Sequence, residues 1–227
     1  MIVDKQRVNE SSRDYVIRVL RENIISLNLK PGSNISVYSL EKILNVSRTP
    51  IREALIDLGK TGIIEVYPQK GSKVSYIDFN RVDEARFLRL AIEKSILEIV
   101  VDKIDDEGFN KLDLNLKMQE EVLKFNDSEK MMKLDNEFHF IFFEIANMEN
   151  LFYIKDSLYI HFDRVRSLRL ISIDDNKMFI EHNQIVDALK KRDKNLVKEA
   201  IEKHLSGYTE KEKNIILEKY PDYFKSM

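Results

Sequence analysis

Of the four histidines in this 227-residue chain, three fall on apolar helical stripes, and one of these has an aspartate four positions before it. Leu134, Phe138, Ile141 and Ile145 recur at helical spacing. Asp135 and His139 lie one turn apart beside that stripe, on a face shared with Phe142. His182 precedes Ile185, Val186 and Leu189 at i+3, i+4 and i+7, so it points inward with them. His204 lines up with Val197, Ala200 and Ile201, again inward. One carboxylate and three imidazoles from three helices are donors suited to a divalent metal such as Zn, Ni or Mn. Helical bundles build such sites from facing helices. Inward histidines also serve as hydrogen-bonded core residues, and spacing alone leaves both readings open. His161, between Ile160 and Phe162, has no partner at metal spacing.

A second group suggests a different chemistry. Ser47 stands before a helix expected to start at Arg48, with Pro50 in its first turn, where a missing N–H costs nothing. Ile51, Ala54, Leu55 and Leu58 form one apolar stripe, and Arg48, Thr49 and Arg52 lie off it. Upstream, Val37, Leu40 and Leu44 predict a short amphipathic helix, leaving only a tight turn at Asn45-Val46. Two short helices, a tight turn and arginines at the start of the second helix predict a helix-turn-helix, which enters the major groove N-terminus first. Residues 63–67 and 73–77 predict strands around a turn at Pro68-Gln69-Lys70-Gly71, a wing with Lys70 and Lys73 near its tip.

The remaining elements must position these groups. Ile17, Leu20, Ile24 and Leu27 predict a first helix reaching about Leu27, closed by Pro31-Gly32. From Phe79 onward the pattern is helical, with breaks near residues 105–108, 126–128, 147–150 and 172–176, predicting a bundle of about six helices. The expected division is a winged helix-turn-helix DNA-binding domain over residues 1–77 and a helical domain of separate purpose over 78–227. Residues 1–77 hold 12 Lys+Arg against 8 Asp+Glu, so the overall charge of −2 conceals a basic head on an acidic body. The chain is 43% hydrophobic with no cysteine, which excludes a disulfide framework and thiolate chemistry. No apolar run approaches the roughly 18 residues of a membrane span, and no signal-peptide core is present, so no membrane association and a cytoplasmic location are expected.

These residues resemble the GntR-type transcriptional regulators, in the branch with an FCD effector domain. The head is similar through Pro31-Gly32, Leu40, Val46-Ser47-Arg48-Thr49-Pro50-Ile51-Arg52-Glu53-Ala54-Leu55, Gly62, Gly71 and Val74. The body is similar through Arg89-Leu90-Ala91-Ile92-Glu93, Asp135 to His139, Glu181-His182 and Ala200 to Leu205, and the likeness runs from about Arg13 to Tyr208. The resemblance implies a mainly α protein, a homodimer that binds double-stranded operator DNA and more often represses than activates. It implies that Asp135, His139, His182 and His204 ligate a divalent metal beneath a ligand pocket. The effector would be a small organic acid, with Arg89 or Arg166 pairing its second charged group. Ser47, Arg48, Thr49, Arg52, Lys70 and Lys73 would face DNA, Arg48 and Arg52 through base and phosphate contacts. The rival reading is a helical metal-dependent hydrolase, which leaves the helix-turn-helix and wing without a purpose.

Overall fold

The computed structural model describes residues 1–67, 70–154, 158–173, 175–206 and 209–225. Polar caps start several of its helices. Ser11 accepts from the Asp14 amide and opens α1 (Ser12–Ile25), and Ser36 accepts from the Ser39 amide at the start of α2 (Val37–Leu44). α1 stops two residues short of the expected end, because Leu27 adopts a positive φ of 63° and turns its side chain into a neighbouring core. Asn45 takes a left-handed conformation after α2, which makes the tight turn into α3 (Arg48–Lys60). Tyr15, Val16, Leu20, Ile51, Leu55 and Ile64 centre the core of this head.

The wing has three strands, β1 (Asn34–Ile35), β2 (Ile64–Tyr67) and β3 (Gly71–Val74), in the order β1-β3-β2, all antiparallel. Glu65 pairs with Lys73 and Tyr67 with Gly71. Pro68 and Gln69 of the expected turn lie outside the described residues. β3 ends at Val74, short of the expected residue 77, because Ile77 bridges to Phe224 near the C-terminus.

The body holds α4 (Phe79–Lys103), α5 (Asp106–Leu123), α6 (Ser128–Ala146), α7 (Glu149–Ile154) and α8 (Ile160–Ser172). These are followed by α9 (Lys177–Lys190), α10 (Lys194–Leu205) and α11 (Glu210–Lys219), then a 3-10 turn at Pro221–Tyr223. That is eight α-helices among the described residues rather than about six. One extra break has no glycine or proline to announce it: Arg192 adopts a φ of 52° and Asp193 caps α10. Another is set by a capping box between Thr209 and Glu212.

α4 is the spine of the body and packs against α6, α8 and α10. Head and body meet through a packed seam, where Leu27 and Ile77 join Val82, Phe162, Leu168 and Phe224 in one cluster. Arg164 of α8, fully buried, donates to the Ser75 carbonyl at 2.6 Å, and His161 Nδ1 accepts from the Asp78 amide at 3.0 Å. No helix among the described residues is long and apolar enough to cross a membrane.

Candidate functional site

Asp135 and His139 of α6 face His182 of α9 and His204 of α10 in the interior of the body, and their ligand atoms all lie within 4.8 Å of one another. His139 Nε2 stands 3.1 Å from His204 Nε2 and 3.8 Å from Asp135 Oδ1, and His182 Nε2 is 3.3 Å from the same oxygen. The helical period brings Asp135 under His139, and Phe138, stacked on the His182 ring at 4.0 Å, walls one side.

The other nitrogen of each imidazole is occupied. His139 Nδ1 contacts Glu93 Oε2 at 2.5 Å, His182 Nδ1 contacts Gln119 Oε1 at 2.9 Å, and His204 Nδ1 contacts Glu181 Oε2 at 3.1 Å. An oxygen acceptor at each Nδ1 places the ring proton there and leaves the Nε2 lone pair aimed inward. Gln119 is itself fixed by donating to Asn115 Oδ1, and Asn115 donates to the Leu134 carbonyl on α6.

Burial keeps the rings neutral. It pushes His139 down to about 3 in spite of Glu93, and holds His182 and His204 well below the ordinary histidine range. Burial opposes the Glu93 charge, but Arg89 and His139 outweigh it and keep that carboxyl well below the usual range. Neutral imidazoles with free Nε2 lone pairs and one carboxylate are the protonation states a divalent cation requires. His182 Nε2 is buried with no hydrogen-bond partner. Donors about 2.0–2.2 Å from one ion sit roughly 3.0–3.5 Å apart in tetrahedral or octahedral sets, which matches the shorter separations here. The residues fit a metal ion.

The cluster opens on a cavity of about 90 Å³ lined in part by Arg89, Phe162, Arg166, Lys177 and His204. Arg89 Nε donates to Glu93 at 2.7 Å, while its Nη2 is buried with no hydrogen-bond partner and lies 4.0 Å from Asp135 Oδ2. Arg166 pairs with Asp135 and, at 2.7 Å, with Asp163. Glu93, Gln119 and Glu181 are site residues that the histidine spacing did not single out. Glu93 and Glu181 fall within the segments that carry the family resemblance, whereas nothing local distinguishes Gln119. His161 lies apart from the cluster, at the seam.

In the head, α3 presents its N-terminal end to solvent. Ser47 is extended and makes no capping bond, contrary to expectation, so its hydroxyl and the first helical N–H groups are left without that partner. Ser47, Arg48, Thr49 and Arg52 are exposed. Arg48 Nε donates to Glu41 Oε2 at 2.9 Å. Lys70 is exposed in the wing turn. Lys73 is a strand residue, as expected, but stands opposite Glu65 two residues in from the start of β3, and its Nζ reaches the Tyr76 hydroxyl at 3.1 Å.

Residues 13–74 match the family described as bacterial regulatory proteins, gntR family, and residues 84–207 match the FCD domain. The chain is 30% identical to the HTH-type transcriptional repressor RspR of Escherichia coli (strain K12) over 88% of each chain. It is 34% identical to an uncharacterized HTH-type transcriptional regulator in an unstable DNA locus of Streptomyces ambofaciens, over 85% of this chain and 81% of that one. The structure of E. coli McbR/YncC superposes with a TM-score of 0.77 at 20% identity, covering 92% of this chain and 99% of the other.

Proposed function

From a chain that belongs to the GntR family and carries an FCD domain, we propose a metal-containing repressor that releases or engages its operator in response to a small carboxylate. It is a transcriptional regulator and not an enzyme, as its family and relatives are, and the hydrolase reading has no support. The observation that carries the sensing role is the buried convergence of three Nε2 atoms and Asp135 Oδ1 beside a cavity. Asp135, His139, His182 and His204 would hold a divalent ion, which supplies a Lewis-acidic centre for an anionic oxygen.

Around that centre the chain's own residues select the ligand. Arg89 Nη2 is the buried donor still in need of an acceptor, and a ligand carboxylate supplies one. Arg166 is committed to Asp135 and Asp163, so its part is to steady the metal ligand and the cavity wall. The small cavity favours a short acid over an extended chain.

Residues 1–77 would carry DNA recognition and residues 78–227 sensing and dimerisation. Ser47, Thr49 and the open N-terminal N–H groups of α3 suit phosphate, and Arg48 and Arg52 suit base and phosphate. Two copies on two half-sites gain affinity through effective concentration. The relative named as a repressor favours repression.

The test is retardation of duplex DNA from immediately upstream of the protein's own gene, titrated with metal, chelator and short mono- and dicarboxylates. Retardation that a carboxylate alters only in metal-loaded protein is expected. No retardation of that DNA, or a carboxylate response that survives full chelation, would overturn the reading.

A further inference from the structure

On the exposed DNA-reading end of α3, one arginine is held and the other is not. Arg48 Nε donates to Glu41 Oε2 at 2.9 Å, whereas Arg52, one turn on, makes no ion pair among the described residues. Glu41 lies on α2, next to the buried Leu40 that anchors the helix to the head core. Its carboxylate reaches the first residue of α3. The side chains of Glu41 and Arg48 are 34% and 57% exposed, so the pair contributes little to stability.

We propose that Glu41 is a positioning residue that sets base specificity through Arg48; this rests on the reading of Arg48 as a base contact. Holding the guanidinium by Nε leaves Nη1 and Nη2 as its free edge, and those two nitrogens can span O6 and N7 of a guanine. A long, flexible side chain that is already oriented loses less freedom when it docks. The carboxylate also places a negative charge near the phosphate backbone. That charge weakens binding to every sequence alike, so a larger share of the affinity has to come from the base contact that Arg48 makes. Arg52, lacking such a partner, is left for sequence-independent contact.

The experiment is selection from a randomised duplex DNA library by the full-length protein and by Glu41→Ala, Glu41→Gln, Arg48→Ala and the Glu41→Ala/Arg48→Ala pair, each checked for an unchanged melting temperature. Arg48→Ala should erase the preference at one position in each half-site. Glu41→Ala should weaken that same position about threefold to tenfold, a part of what one bidentate contact discriminates. Glu41→Gln, whose amide oxygen still accepts from Nε, should keep most of the preference, and both Glu41 variants should bind unselected DNA more tightly. The double variant should match Arg48→Ala. The proposal falls if Glu41→Ala leaves that position intact or weakens every position alike. If Arg48→Ala itself changes no position, the base-contact reading fails first and takes the role of Glu41 with it.

Discussion

His139 and His204, 65 residues apart in sequence, bring their Nε2 atoms to 3.1 Å, each with its Nδ1 against a carboxylate. With both ring protons on Nδ1, two lone pairs face each other, an arrangement that is repulsive until a cation lies between them. Metal removal should therefore lower the melting temperature. A ligand bound only by the folded state stabilises it by about 2.7 kcal/mol at a hundredfold excess over Kd. Calorimetry of metal-loaded and chelated protein checks this, and His182→Ala should abolish the difference. Equal melting temperatures, with no metal found by elemental analysis, would leave the histidines as core packing.

Glu93 accepts from His139 Nδ1 and, if His139 binds a metal, would orient the ring and raise its basicity. Glu93→Gln should weaken metal affinity by about 10-fold to 100-fold. Competition against a chromophoric chelator reads this directly, and an unchanged affinity would confine Glu93 to its pairing with Arg89.

On DNA the two basic groups should separate by kind. Arg48→Ala should cost about 1–3 kcal/mol on the preferred sequence and relax one position. Lys70→Ala, at the exposed wing turn, should weaken all sequences alike and lower the salt slope by about 0.9 if it meets one phosphate. Titrations at several salt concentrations distinguish the two.

Acid should loosen the seam between head and body. Burial, then Arg164 and Arg81, push His161 down to about 3, against Asp78. The unfolded ring takes its proton near its ordinary pKa of about 6.5. Between these values the unfolded chain binds more protons, so the contribution of His161 is fully present above about pH 6.5 and is lost as pH falls toward 3, up to about 5 kcal/mol. His161→Gln, which can still accept from the Asp78 amide, should show a shallower loss of stability than the parent between pH 7 and about 4 in denaturant titrations. Parallel curves would remove His161 as a source of acid sensitivity.

Light scattering of the full chain should give about twice the monomer mass at micromolar concentration, as the proposed reading of two half-sites would require. A monomer under those conditions would rule out the dimeric reading.

The local code was strong enough to place the head. Ser47 to Leu55 carries its own punctuation and its own apolar stripe, and a helix-turn-helix is made of contacts between neighbours in sequence. The inward direction of Asp135, His139, His182 and His204 was likewise legible, because helical periodicity fixes a residue's face without reference to its partners. Tertiary structure alone decided the rest. No spacing reveals that Gln119 reaches His182 across 63 residues, that Arg166 pairs with Asp135, or that Ile77 leaves the wing to bridge Phe224. Lys73, expected to open the returning strand near the wing tip, lies further along it for a similar reason, since β3 begins at Gly71 and pairs with β1 from 37 and 39 residues upstream. These outcomes depend on which helices and strands become neighbours. A chain fixes that only when burying its apolar faces settles the packing, and a single sequence records the faces but not their pairing.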